Sequence, residues 1–240
     1  MSFDPTNVDD EIWRSACVVA THHWPGVQGL TTLELDGAVE PHVAGQYVQL
    51  ASAGDDGVWG VRYLSLASAP GQPPEFLIAP TPDGQVPGDP ATLEVGDQVF
   101  VTRAAAGKLI CPEPVPSGRL WLLASGTGLA PLLSVWRTAV EFSVVLVHSV
   151  QAPTSLAYQD ELTAPSAGRV YLPWVTGGER GRPRLTQALA SDGLLGQLSG
   201  HSMNPQLDRV MLCGSGEFLA DLRQALGGQG FDQAQIVTEW

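Results

Sequence analysis

The run Ser125-Gly126-Thr127-Gly128-Leu129-Ala130-Pro131 could hold a phosphate without a charged side chain. Glycines let the main chain approach a pyrophosphate closely. Thr127 adds a hydroxyl donor, and Pro131 suits the first turn of a following helix, whose free amides favour an anion. A second turn of small residues, Cys213-Gly214-Ser215-Gly216, precedes another helical pattern. Arg180, Arg182 and Arg184 crowd the stretch after Val175-Thr176, and planar guanidinium groups match phosphate oxygens. A solvated loop is the plainer reading of those arginines, and a core thiol the plainer reading of Cys213. His22, His23, His42, His148 and His201 share no metal-ligand spacing, and no Ser-His-Asp or paired-carboxylate pattern stands out. The chemistry these residues favour is nucleotide binding, without a metal.

Such turns work at the carboxyl ends of parallel strands, and the second half of the chain has the rhythm that supplies them. Arg119 to Ala124 and Val144 to Val150 are continuous apolar runs of the kind buried on both faces of a parallel sheet. Further strands are expected at Val170 to Val175 and Val210 to Cys213. Leu132, Leu133, Trp136 and Val140, at helical spacing, predict a helix over Ala130 to Phe142. Shorter helices are predicted at Ser155 to Leu162, Leu185 to Ala190 and Glu217 to Leu226. The first half instead alternates strands with Gly, Pro and Asp clusters: Trp13 to Ala20, Leu30 to Leu35, Tyr47 to Ala51, Val61 to Ala67, Glu75 to Ala79 and Gln98 to Arg103. Strands in that arrangement predict an antiparallel barrel. The proline-rich stretch Pro112 to Gly118 separates the two rhythms, which puts one domain over 1–116 and another over 117–240.

The formal net charge of the 240 residues is −13. Residues 1–116 hold 4 Lys and Arg against 15 Asp and Glu, a net of −11, whereas 117–240 hold 8 Arg against 10 acidic residues, a net of −2. That balance argues against nucleic acid and anionic membranes as partners. Cys17, Cys111 and Cys213, odd in number and far apart, fit neither a disulfide framework nor the thiolates of an iron–sulfur cluster. The chain has no run of the ~18 apolar residues that crosses a bilayer, and its opening Met1-Ser2-Phe3-Asp4-Pro5 lacks the segments of a secretory signal. A soluble cytoplasmic monomer is expected.

Several motifs, taken in order, resemble the bacterial ferredoxin-NADP reductase family. Leu120-Trp121-Leu122-Leu123-Ala124-Ser125-Gly126-Thr127-Gly128-Leu129-Ala130-Pro131 is similar to the opening of that family's nicotinamide domain. Val144-Val145-Leu146-Val147-His148, Leu156-Ala157-Tyr158-Gln159-Asp160-Glu161-Leu162 and Val210-Met211-Leu212-Cys213-Gly214-Ser215 resemble its next landmarks. The resemblance implies a Greek-key, FAD-binding antiparallel β-barrel followed by a parallel-sheet α/β domain that binds the nicotinamide dinucleotide. It implies electron transfer between NADPH and a one-electron carrier, ferredoxin or flavodoxin, through FAD.

Carried residue by residue, Arg62 and Ser65 resemble the flavin motif Arg-x-Tyr-Ser, the arginine for the pyrophosphate and the serine near flavin N5. Leu64 stands where the family has the tyrosine that stacks on the isoalloxazine. Tyr63 is one residue off, and a shift of one turns a strand side chain to the opposite face. Further flavin contacts are implied for Leu77, Ile78, Ala79, Thr127, Val86, Pro87 and Gly88. Where the family offers Thr or Ser at a helix start, this chain has Pro87 and Gly88; Pro87 brings neither N–H nor hydroxyl, and Asp89 adds a negative charge. For the nicotinamide dinucleotide the implied residues are Gly126, Thr127, Gly128, Thr176, Cys213, Gly214 and Ser215, with Arg180 and Arg184 on the 2′-phosphate. Gly177 replaces the first arginine of that phosphate site. Ser65, Cys213 and the terminal Trp240 are expected at the reacting rings, with Trp240 packed on the flavin.

The expected function is thus FAD-dependent reduction or oxidation of a ferredoxin or flavodoxin with NADP(H). Leu64 and the Pro87 to Pro90 segment keep two alternatives open: a cofactor-poor, non-catalytic nucleotide-binding or interaction module on this fold, and a free-flavin reductase.

Overall fold

The structure is a computed structural model that describes residues 3–25, 29–37, 39–54, 57–81, 88–178, 181–190 and 194–239. Alternating apolar and polar residues between Gly and Pro turns form β1 (Trp13–His23), β2 (Thr31–Leu35), β3 (Tyr47–Ala53), β4 (Trp59–Ser65), β5 (Glu75–Ile78) and β6 (Gln98–Thr102). They make one antiparallel sheet in the order β4-β3-β6-β1-β2-β5, curled into a half-barrel with β4 and β5 at its edges. Val18, Leu33, Leu50, Phe76 and Val99 fill it. The period of two is visible in β4: Leu64, opposite Val48, is buried in this core, while neighbouring Tyr63 is 58 % exposed.

The apolar runs of the second half form β7 (Arg119–Ser125), β8 (Ser143–Val150), β9 (Arg169–Val175), β10 (Arg209–Cys213) and the short β11 (Ile236–Val237). Every pairing is parallel, in the order β11-β10-β7-β8-β9. From β7 the chain runs outward through β8 and β9, then returns to build β10 on the other side. The sheet's direction of growth therefore reverses beside β7, which opens a crevice at its carboxyl end. Helix α1 (Leu129–Thr138) covers one face over Leu120, Leu122 and Leu146. Helices α3 (Leu185–Ala190) and α5 (Gly216–Gly228) cover the other over Trp121, Leu123 and Val147. The remaining helices, α2 (Gln159–Thr163) and α4 (Leu194–Ser199), are a turn or two long.

The two sheets pack through α1. Its Leu132, Leu133 and Val135 share a buried cluster with Leu30, Ala67 and Leu77 of the half-barrel. Ser134 Oγ donates to Ser68 O at 2.6 Å. Arg137 bridges Glu75 and Glu161, each at 2.7 Å, and donates to Ala67 O at 2.8 Å. Burial opposes the charge on Arg137, but the two carboxylates more than offset it and hold its pKa above the usual value.

Two helices differ from their predicted spans. The one predicted to reach Phe142 ends at Thr138, whose hydroxyl turns back to Ser134 O and Val135 O and competes with helix continuation. The one predicted over Ser155 to Leu162 is broken by Tyr158 in the left-handed region, φ 56°. Tertiary contacts hold it there: its hydroxyl meets Thr32 Oγ1 at 3.0 Å, and its ring lies 5.2 Å from that of Trp24. Helix α4 and strand β11 had no predicted counterpart.

Candidate functional site

Strand β7 delivers its last residue, Ser125, into the crevice, and Gly126 follows with φ +53°, a conformation glycine adopts without strain. A tight turn over Gly126–Gly128 runs directly into α1: the Leu129 amide closes it on Gly126 O and Thr127 O, and the main chain of Gly126 to Gly128 lines the crevice. A side chain at Gly126 would extend into open space, which leaves the main chain there bare to a ligand. The other glycines are needed for contact between the turns. A Cβ on Gly128 would lie 2.3 Å from Cys213 O, and one on Gly214 would lie 2.1 Å from Ser125 Oγ. The turn after β7 thus interlocks with the turn after β10. Ser215 caps α5 by accepting from Phe218 N at 3.3 Å.

His148, near the end of β8, braces the first turn. Its Nε2–H donates to Gly126 O at 3.0 Å, because a carbonyl can only accept. Its Nδ1 is buried without a partner among the described residues. Burial pushes its pKa down to about 4 against the raising effect of the Gly126 carbonyl, so the ring is neutral near pH 7. Cys213 is held as a thiol: its pKa is pushed up to about 12 by burial first and by the charge of Glu239 second. A protonated thiol is a small neutral wall, not a nucleophile.

These turns face β4 and β5 across a single cleft of about 700 Å³. From the half-barrel come Arg62, Tyr63, Leu64 and Ser65 of β4, with Leu77, Ile78 and Ala79 at β5. From the parallel sheet come Gly126, Thr127 and Gly128, then Thr176 after β9, then Cys213, Gly214 and Ser215. Ser149, Val150 and Gln151 at the end of β8 also line it and had no place in the sequence-based reading; their position at a strand's carboxyl end is the signal that marks them. Among the described residues lining the cleft, Arg62 carries the only charged side chain.

Arg62 is engaged. Its Nη1 lies 2.9 Å from Asp89 Oδ1 and donates to Thr81 Oγ1 at 2.7 Å. Asp89 also accepts from Thr81 N at 2.5 Å and Ala91 N at 3.1 Å. Gly88 lies behind this network instead of lining the cleft. At φ +62° its carbonyl accepts from Ser52 Oγ at 2.6 Å, and a Cβ would sit 1.9 Å from Ser52 O. Val86, Pro87, Arg180 and Trp240 lie outside the described residues.

Among the described residues of the arginine cluster, neither Arg182 nor Arg184 lines the cleft. Arg184 pairs with Glu217 of α5 at 3.0 Å, both side chains exposed. Arg182 lays its guanidinium 4.9 Å from the ring centre of Trp174, with Nη1 buried and unpartnered among the described residues. Among the described residues no three His, Cys, Asp or Glu side chains converge as a metal site, and no helix is long and apolar enough to cross a membrane.

The bare main chain at Gly126 and the interlocked glycines fit a dinucleotide, and the exposed Tyr63 on the opposite wall offers an aromatic surface to a planar ring system. Comparisons with known proteins agree with that geometry. Residues 122–224 match the family model described as an oxidoreductase NAD-binding domain. The chain is 31% identical over 220 residues to the flavodoxin/ferredoxin–NADP reductase of Escherichia coli (strain K12), covering 87% of this chain and 88% of that one. It is 30% identical over 233 residues to the ferredoxin–NADP reductase of Pseudomonas aeruginosa, covering 89% and 88%. Among solved structures, a ferredoxin NADP+ reductase from Neisseria gonorrhoeae with bound FAD and NADP superposes with a TM-score of 0.81 at 26% identity, covering 95% of this chain and 98% of that one.

Proposed function

The chain belongs to the ferredoxin/flavodoxin–NADP reductase family, and from that premise we propose that it exchanges electrons between NADPH and a ferredoxin or flavodoxin through FAD. In this reading residues 1–116 carry the flavin and 117–240 the nicotinamide dinucleotide. The supporting observation is the single cleft in which Arg62 to Ser65 and Leu77 to Ala79 face the interlocked turns at Gly126–Gly128 and Cys213–Ser215. When bound, the nicotinamide supplies or takes a hydride and the flavin relates that pair of electrons to single ones.

The protein's own part is binding, orientation and insulation. The amides at the Gly126–Gly128 turn receive the dinucleotide's pyrophosphate, and Thr127 adds a hydroxyl. The exposed Tyr63 offers the aromatic surface beside which the flavin rings rest, and Leu64, Leu77 and Ile78, buried within β4 and β5, support that wall from behind. Ser65 offers its hydroxyl toward flavin N5, and the Cys213 thiol, kept protonated, fills space beside the nicotinamide without reacting. Arg184, and Arg180 four positions before it, receive the 2′-phosphate once Arg184 leaves the exposed Glu217.

The test is an absorption spectrum of the protein mixed with FAD, before and after NADPH is added without oxygen. Protein-bound flavin that bleaches, and regains its colour when a ferredoxin or flavodoxin is supplied, supports the reading; a protein that takes up no flavin overturns it.

A further inference from the structure

A flavin dinucleotide and a nicotinamide dinucleotide are both multiply negative, yet the only charged side chain among the described residues lining their common cleft is Arg62. That one cation is already matched. Asp89 sits 2.9 Å from it, with Arg62 and Asp89 side chains only 26% and 12% exposed, so solvent screens the pair poorly. Asp89 is itself fixed by Thr81 N and Ala91 N, which makes it a rigid partner and not a passing one. Arg62 and Asp89 together present no net charge to an incoming phosphate, and the phosphate must also approach the carboxylate.

We infer that Asp89 occupies the anion seat of Arg62, so that the flavin's phosphate groups contribute little to its binding and the flavin is held as an exchangeable ligand. This rests on the flavin reading above. It distinguishes Asp89 as a determinant of flavin affinity that opposes binding, where a carboxylate holding an arginine in place for the ligand would favour it. Removing the negative charge leaves the charge of Arg62 unmatched until a phosphate meets it, and the change in sign separates the two roles.

The experiment titrates flavin-free protein with FAD, FMN and riboflavin, following flavin fluorescence. The wild-type protein is expected to bind FMN no more than about tenfold tighter than riboflavin, since a neutralised arginine adds little to a phosphate contact. Asp89→Asn, which keeps Oδ1 for Ala91 N and Arg62 Nη1 but removes the charge and the Oδ2 acceptor of Thr81 N, is expected to tighten FAD and FMN by about tenfold and leave riboflavin unchanged. Arg62→Ala in the Asp89→Asn background is expected to abolish that gain. FAD binding that is unchanged or weaker in a folded Asp89→Asn protein overturns the inference while leaving the flavin reading intact. A wild-type preference for FMN over riboflavin of about a hundredfold overturns it as well, and needs no variant to fold. No flavin binding by wild-type protein or variants overturns both.

Discussion

The Nε2–H of His148 donates to the carbonyl of Gly126 at 3.0 Å, tying the end of β8 to the turn proposed to receive the dinucleotide. Its neutral state is part of that geometry, since burial holds the pKa at about 4. A histidine whose pKa is lowered on folding keeps its full contribution above the unfolded value of about 6.5 and loses it as pH falls toward the folded value. Between pH 6.5 and 4 the unfolded chain takes up a proton that the folded chain refuses, at a cost approaching about 3 kcal/mol. Thermal melts should therefore show wild-type stability falling across that window, with a flatter profile in His148→Gln, whose amide can still donate to Gly126 O. Parallel profiles would remove His148 as the cause.

The same hydrogen bond bears on nucleotide binding. His148→Phe keeps the ring volume and loses the donor, so the Gly126 carbonyl is left without that partner and the turn loosens. The KM for NADPH and for NADH should both rise by about three- to tenfold, the scale of one buried hydrogen bond, while flavin affinity is unchanged. An effect on flavin binding equal to that on the nucleotides would mean the substitution disturbs the whole cleft.

The exposed pair Arg184–Glu217 supports a different expectation, because a surface ion pair contributes about 0–1 kcal/mol and can be exchanged for a phosphate. Arg184→Ala should leave the melting temperature nearly unchanged and raise the KM for NADPH by about tenfold, with NADH little affected. Glu217→Gln should lower the KM for NADPH, since it frees the guanidinium. Equal effects on both nucleotides would dissociate Arg184 from the 2′-phosphate.

How much of this was legible in the sequence depended on whether the information is local. The Gly126–Gly128 turn announces itself, because conformational freedom and proximity to a helix start are properties of adjacent residues. The period of two along β4 says that Leu64 and Tyr63 face opposite ways, but that Leu64 is the one turned into the core emerges only from its packing in the half-barrel. The negative charge of Asp89 could be read near the phosphate segment, but its bond to Arg62, 27 positions away, needed the packing of β3 and β4 to exist. Ser149 and Gln151 look like ordinary strand-end residues until β8 is placed beside β7. Tyr158 breaks a helical pattern for the sake of Thr32, on the other sheet, and no local propensity encodes that.

Charge sets the expectation for the electron carrier. In the strongly acidic half, Arg14 donates to Asp36 O, Arg103 to Asp10 O, and Arg62 is matched by Asp89. An acidic ferredoxin approaching that half meets like charge that salt will screen. Its kcat/KM should therefore rise by about twofold or more as ionic strength increases from ~0.01 to ~0.15 M, where the screening length falls from ~30 to ~8 Å. A rate that falls with salt would place a local basic surface at the docking site.

Glu239 fastens the end of the chain to the segment that joins the two sheets. Its Oε2 accepts from Lys108 N at 2.8 Å and Leu109 N at 3.0 Å. The loop is shaped around that oxygen: Gly107 stands at φ +122°, and a Cβ there would lie 3.0 Å from Oε2 and 3.1 Å from the Tyr47 ring. The same carboxylate helps to keep the Cys213 thiol protonated. Glu239→Ala leaves two amides without their acceptor and should cost about 1–2 kcal/mol in a denaturant melt. Glu239→Gln retains an accepting oxygen and should recover most of that loss, yet it removes the charge beside Cys213. Thiol alkylation followed against pH in a variant whose other cysteines are serine should then show the Cys213 pKa lowered in both substitutions. A Cys213 titration unmoved by either change would mean that burial alone sets it, and the tail would act only through its hydrogen bonds.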